Sequence, residues 1–515
     1  MTAMTLISRV LGLVREQVRA GFLGIGAASD AFGVATMIPN LLRRLFAEGA
    51  MTAAFIPVLT EYLRRGDEEA LRQFLSRFVT LLMVLVTGVS IFGVLVSPWL
   101  IGTFYADYES VPGKAPLTII LTQVMWPYLM FITFAAVLQA VLNAHKIFGP
   151  SAFTPVLLNL AIIGCAFGLS HLFPDPSYAL VVGFLVGGIL QIAFQVPYLF
   201  KHTRVRWGID FGFRKDAGVR RVFRIMGPGV FAAGIYQINV FASQVIAAGL
   251  YDGAVASLQF SVRLQELVLG LFVASIAQVI LPSLSEHTAD GDDAAVKNTL
   301  SYATRLIAFV TLPATAGLIL LGPEIIRLLF QFDAFDAAAT QSTAFALQFH
   351  AMGLLFIGQA RIYQQVYFAY KDLKTPTLVS AVVAVVNIVL CLVLAEPLGH
   401  GGVALAGSLA AVLNMGLYVW LLRKKLGGLG LPALLSRVGR LVLSTGAMVG
   451  GLIGFAALWP SADVAGRGLL FVWVLAALGV AAASYLGLAT ALRVNEFGGL
   501  LQSVRRKFSR RARRD

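Results

Sequence analysis

Runs of about 20 apolar residues, each ended by short polar punctuation, recur along the chain, and about 20 is the number a helix needs to cross roughly 30 Å of hydrocarbon. A chain patterned in this way has few options. Inside a bilayer every backbone N–H and C=O must be satisfied by the structure itself, which leaves helices or a closed barrel, and runs this long read as helices. Of 515 residues 58% are hydrophobic and only 13% charged, and the mean hydropathy is +0.81. Soluble globular domains are not built so. The expected fold is therefore all-α and polytopic, with about fourteen transmembrane helices. Beyond the first two, spans are expected at 78–99, 117–142, 156–172, 178–199, 230–250, 259–281, 306–321, 344–368, 379–394, 403–422, 441–458 and 469–488.

The first two segments break the apolar pattern. At about 100° per residue the first helix gathers Thr5, Ser8, Arg9, Gly12, Arg15, Glu16 and Arg19 into an arc of roughly 120°. The second, running to about residue 59 with Pro39 as an expected kink, gathers Asp30, Gly33, Thr36, Asn40, Arg43, Arg44 and Glu48 within roughly 140°. An arginine at the bilayer centre costs about 2.5–3.5 kcal/mol on insertion scales, so neither stripe faces lipid. Both must look into the bundle or a water-filled cavity. Glu16 with Arg19 and Arg44 with Glu48 neutralise part of the charge as helical neighbours. Yet Arg9, Arg15, Arg19, Arg43 and Arg44 outnumber Glu16, Asp30 and Glu48. The surplus points to an anion, and a planar guanidinium suits phosphate or carboxylate. The eighth span adds Arg263 and Glu266 one turn apart, either a self-contained pair or an extension of the arginine wall. In the tenth span His350 reads as a packed or hydrogen-bonded residue.

Lysines and arginines also set the orientation. One side collects Arg64, Arg65, Arg72, Lys146, the cations of 201–224, Lys371, Lys374, Arg423, Lys424, Lys425, Arg437, Arg440 and the tail QSVRRKFSRRARRD. The other has Lys114, Arg327 and Arg467 among Asp107, Glu109, Asp175, Asp252, Asp333 and Asp336. Both termini are expected in the cytoplasm, and the net charge of +14 lies mostly in loops facing anionic headgroups. No soluble domain is available for nucleic acid.

Three short matches recur at one offset. IPVLTE returns as LPSLSE, SPWL as GPEI and NAHK as FAYK, so that Glu61 and Glu286, Pro98 and Pro323, and Lys146 and Lys371 are each 225 positions apart. Six spans separate equivalent positions, so both halves enter the membrane in the same direction, the layout of a duplicated six-helix transporter. The domains read as an N-lobe at 1–200 (spans one to six), a cytoplasmic amphipathic linker at 201–225, a C-lobe at 226–425 (spans seven to twelve), spans thirteen and fourteen at 436–490, and a basic cytoplasmic tail at 491–515.

Chemistry other than transport finds no motif. Cys165 and Cys391 are lone residues in apolar spans, DGDD at 290–293 reads as a solvated turn, and Asp333 and Asp336 are too loosely spaced for a metal. No catalytic residue, cofactor or nucleotide loop is indicated, so energy must come from an ion gradient or the membrane potential.

SRVLGLVRE followed by SDAFGVATMIPNLLRRLFAEGAMTAAFIPVLTEY resembles the opening of the MurJ (MviN) lipid II flippases of the multidrug/oligosaccharidyl-lipid/polysaccharide (MOP) exporter superfamily. The likeness extends to the six-plus-six-plus-two layout and the RLQE of span eight. It implies a bacterial inner-membrane flippase, not an enzyme, that moves undecaprenyl-diphosphate-MurNAc-pentapeptide-GlcNAc outward by alternating access in peptidoglycan synthesis. It implies substrate contacts at Arg9, Arg15, Arg43 and Arg263, with Asp30 and Glu266 at acidic positions of the same cavity; Asn40, Arg44 and Glu48 of the second stripe are expected to support them, and the polyprenyl tail is expected along a groove by spans thirteen and fourteen. Membrane lipids and cell-wall synthesis proteins are the candidate partners. The alternatives are a flippase for another polyprenyl-diphosphate-linked polysaccharide, and a MATE-type cation or drug antiporter, whose cavity should be acidic or aromatic instead of cationic.

Overall fold

The computed structural model describes residues 2–46, 50–203, 206–461 and 466–494. Glu48 and the tail beyond residue 494 lie outside the described residues. Among the described residues the regular secondary structure is all helix, and the chain divides into two compact units, Met1–Ala256 with Phe332–Asp336, and Ser257–Gln331 with Ala337–Asp515.

The first unit holds α1 (Thr2–Leu23), α2 (Ala27–Phe46), α3 (Ala50–Arg65), α4 (Glu68–Phe104), α5 (Lys114–Ala144), α6 (Gly149–Leu169), α7 (Pro176–His202) and α8 (Ala217–Ala248). Its core is built from Val18, Phe32, Leu121, Met125, Tyr128, Ile162 and Phe184. The apolar face of α4 points the other way, with Ile91, Phe92, Leu95 and Trp99 59–73% exposed, as a lipid-facing surface requires. The turn between α1 and α2 depends on Gly24, at φ +58°. Any Cβ there would fall on the backbone oxygen of Ala334, so only glycine fits.

The second unit continues α9 (Ala254–Val268), whose first turn belongs to the first unit, and adds α10 (Ala274–Ala289), α11 (Asp293–Leu320), α12 (Gly322–Phe330), α13 (Ala337–Met352), α14 (Leu354–Ala369), α15 (Lys374–Leu426), α16 (Leu431–Leu458) and α17 (Arg467–Ala491). A π-helical turn, Leu269–Val273, joins α9 to α10. The α13–α14 pair bends by 42° at Gly353, where a Cβ would press on Ser408 Oγ. The last two helices pack on α11 around Met448, Leu452, Trp473 and Tyr485, and the Tyr485 hydroxyl donates to the Phe309 carbonyl at 2.8 Å.

Among the described residues nine helices are long and apolar enough to cross a membrane, and the bent pairs bring the number to eleven. α15 is 53 residues long with Gly399 at φ 56°, ψ −138° inside it, where two expected spans meet end to end. α1 and α2 escape a hydropathy criterion because of the very charges that mark them. Fourteen expected spans are consistent with this architecture.

The internal repeat reaches down to single dihedral angles. Lys146 and Lys371 both take positive φ, 63° and 58°, and both close the same helix end. Lys146 N–H donates to Asn143 O and Ile147 N–H to Leu142 O, each at 2.9 Å, while Lys371 and Asp372 do the same to Phe368 and Tyr367, each at 2.9 Å. Gly66 and Gly291 share φ 71°. The next residue in each half caps a helix, Asp67 on Ala70 N–H at 3.0 Å and Asp292 on Ala295 N–H at 2.8 Å. Every one of these pairs is 225 positions apart. Nothing lies within 4 Å of a Cβ built on Gly66 or Gly291, so alanine meets only left-handed backbone strain. Gly66→Ala and Gly291→Ala should each destabilise by about 1–2 kcal/mol. Thermal melts in detergent check this, and two shifts of clearly different size would argue against structural equivalence of the halves.

Candidate anion-binding site

The stripe on α1 sorts into buried and accessible cations. Glu16 and Arg19 are buried. Arg19 Nη2 donates to the carbonyl and hydroxyl oxygens of Ser29 at 3.2 and 3.3 Å, and its guanidinium lies 5.1 Å from the centroid of the Phe32 ring. Those bonds tie α1 to the head of α2, so Arg19 is a structural cation. Arg15, one turn earlier, keeps 21% of its side chain exposed. Its Nη2 reaches Glu16 Oε1 at 2.6 Å and its Nη1 donates to Asn159 Oδ1 at 3.2 Å. Asn159 in turn donates to the Ser8 carbonyl at 3.2 Å, which locks the amide's orientation. Arg19 Nη1 stands 3.7 Å from the same Glu16. Two guanidiniums thus share one carboxylate, and the trio carries a net positive charge.

On α2 the Asn40 amide donates to the Thr36 carbonyl at 2.8 Å and its oxygen accepts from Arg43 Nε at 3.1 Å. Asn40 and Arg43 are half-buried, whereas Arg9 and Arg44 are exposed. In the second unit Arg263 Nη1 meets Glu266 Oε2 at 3.0 Å, with the side chains 46% and 47% exposed. An exposed pair of this kind is worth at most about 1 kcal/mol, so a stronger anion can displace the glutamate. The π-helical turn follows within one turn, and such turns concentrate where helices do work. On the same helix Ser261 Oγ lies 2.8 Å from His350 Nδ1, which makes His350 a hydrogen-bonded packing residue.

Asp30 behaves unlike the rest of the stripe. It is fully buried, and its carboxylate accepts from Lys114 Nζ and from the backbone N–H groups of Gly253 and Ala256, all at 2.8 Å. Lys114 also reaches Asp252 at 2.7 Å and sits 3.9 Å from the Tyr108 ring centroid. Asp30 therefore holds the first unit together instead of presenting an oxygen to a ligand. Sequence reasoning missed Lys114 and Asn159. Each left a signal: a lysine heading an apolar helix on the acidic side, and an amide in the middle of a membrane span.

A duplicated, wholly helical membrane architecture that carries Arg15 and Arg43 half-buried on α1 and α2 is the layout of a transporter. A solved multidrug MATE transporter of the MOP superfamily, in an inward-facing conformation, matches with a TM-score of 0.66 at 13% identity, covering 82% of this chain and 95% of that one, which shows the fold alone. A structure of the lipid II flippase MurJ in an inward closed conformation matches with a TM-score of 0.80 at 25% identity over 96% of this chain and 98% of that one. The family described as lipid II flippase MurJ covers residues 19–471. A probable lipid II flippase MurJ of Vibrio cholerae is 37% identical over 96% of this chain and 95% of its own length. The lipid II flippase MurJ of Burkholderia cenocepacia is 33% identical over 82% of each. The chain belongs to the MurJ family.

Proposed function

We propose that this protein is a lipid II flippase of the bacterial inner membrane, with both termini cytoplasmic. Arg9, Arg15, Arg43 and Arg263 bind the diphosphate of the undecaprenyl-linked precursor, and alternating access of lobes 1–200 and 226–425 carries the head group outward. Asn40 orients Arg43, while Glu266 and Glu16 hold their arginines until the substrate competes for them. The polyprenyl tail stays in lipid along 436–490. One observation carries the reading: near-full-length similarity to the lipid II flippases above coincides with accessible arginines on helices that are otherwise apolar. A diphosphate offers each of them charge-assisted, two-pronged hydrogen bonds. It also relieves the repulsion among cations that would oppose closure.

The test is outward exposure of lipid-linked precursor in cells depleted of this protein. Exposure should stop on depletion and return with the wild-type gene. If it never falls, the arginines serve another anion, and a different polyprenyl-diphosphate carrier becomes the better reading.

A further inference from the structure

The connection between α7 and α8 is held against α4 along residues 207–216. Gly208 N–H donates to Ser76 Oγ at 2.9 Å and Asp210 N–H to Thr80 Oγ1 at 3.1 Å. Arg77 clamps the same stretch from α4, with Nε 2.9 Å from Asp210 Oδ2 and Nη1 3.1 Å from Asp216 Oδ2. Asp210 also accepts from Gly212 N–H at 2.7 Å. That backbone bond, opposed by a smaller desolvation effect and aided by Arg77, holds the Asp210 carboxyl below its ordinary range. A depressed acid contributes its stability above its unfolded value and loses it as pH falls through the folded one, so the clamp is intact at neutral pH.

Gly208, Asp210 and Gly212 are thus engaged by α4 or by the turn itself. The residues between them point away: Ile209 is 82% and Phe211 68% exposed. Their neighbours Arg206, Arg214, Lys215, Arg220 and Arg224 are exposed as well. Position along α4 gives the depth. The segment docks at Ser76–Thr80, and the first exposed apolar residues of α4 beyond it are Val84 and Leu85, 49% and 47% exposed. At 1.5 Å per residue that is about 6 Å away. Rigidly presented apolar tips, ringed by cations and continuous with a lipid-facing helix surface, match the boundary between headgroups and acyl chains.

We propose that residues 206–216 are a membrane-interface anchor for anionic phospholipid: Ile209 and Phe211 enter the acyl boundary, while Arg206, Arg214 and Lys215 hold lipid phosphates. That the leaflet is the inner one rests on the orientation proposed above. The test places a nitroxide label at Ile209→Cys or Phe211→Cys, with Cys165 and Cys391 replaced by alanine, in full-length protein in vesicles of phosphatidylethanolamine and phosphatidylglycerol. Both labels should collide with oxygen at least threefold more than with an aqueous nickel complex, relative to a control label at Glu69→Cys. Arg206→Gln, Arg214→Gln and Lys215→Gln together should at least halve that preference. Labels as water-accessible as the control, or protected only on adding cytoplasmic protein, overturn the proposal. If the cysteine-free chain does not fold, photoactivatable phosphatidylglycerol on the unmodified chain decides the matter instead, with crosslinks expected in the peptide containing 206–216 and their absence counting against the anchor. Labelling of Ile209→Cys by an impermeant maleimide in intact cells would overturn the orientation while leaving the depth result standing.

Discussion

Alanine at Arg15 or Arg43 should reduce outward exposure of the lipid-linked precursor by at least a hundredfold while leaving the amount of protein in the membrane unchanged. A hydrogen bond to a charged group contributes about 1.5–3 kcal/mol, and every 1.4 kcal/mol is about tenfold, so losing both prongs of one guanidinium reaches that size. Both side chains are only partly buried. Arg15 keeps 21% of its side chain exposed, and the carboxylate it leaves behind retains Arg19 at 3.7 Å. The control is Arg19→Ala, which should act in the opposite manner. Its guanidinium bonds Ser29 twice and stacks on Phe32, so its loss should lower the melting temperature and the yield. Arg43→Lys keeps the charge without the planar fork and should fall between wild type and alanine. If Arg15→Ala and Arg43→Ala both support growth at normal expression, the diphosphate is bound elsewhere.

Much of this fold was legible because a bilayer tolerates so few solutions. Twenty-residue apolar runs become helices whatever their neighbours, and a 225-residue offset seen in three short matches reappears in the paired φ values of Lys146 and Lys371. Helix breaks were harder to read. The bend at Gly353 coincides with a close approach to Ser408, a contact between positions 55 residues apart that no local pattern encodes. The stripes were visible as stripes because helical periodicity is local, but the division of labour within them was not. Arg15 and Arg19 look alike on a helical wheel. What separates them is Ser29 and Phe32 against one, and Asn159, 144 positions away, against the other. Asp30 shared an arc with Arg43 in the sequence, yet its partners Lys114, Gly253 and Ala256 come from distant segments. Positive-inside reasoning counts Lys114 as one exception on an acidic side, and counting cannot reveal that its Nζ is buried between two carboxylates.

That buried lysine gives the largest stability effect expected in the chain. Lys114 is 2% exposed and Asp30 fully buried, whereas the side chain of Asp252 is 39% exposed. Removing one member of a buried pair strands the other charge, at a cost of about 3–5 kcal/mol. Lys114→Met fills the same space with no charge and leaves Asp30 only its two backbone donors. It should be the most damaging of the three single changes. Asp30→Asn should cost less, since Lys114 retains Asp252 at 2.7 Å and the Tyr108 ring at 3.9 Å, although an amide oxygen replaces a carboxylate at the two N–H groups. Asp252→Asn removes a partly solvated contact and should cost no more than about 1 kcal/mol. The decisive comparison is the double variant Lys114→Met with Asp30→Asn. With no stranded charge left to bury, it should recover at least 1 kcal/mol relative to Lys114→Met alone, a coupling of the size that contacting residues show. Melting in detergent micelles at neutral pH reads all four. A Lys114→Met protein that melts with the wild type would mean that water reaches the site and that the pair carries no structural load. An Asp252→Asn change as costly as Lys114→Met would move the weight of the cluster to the exposed carboxylate instead.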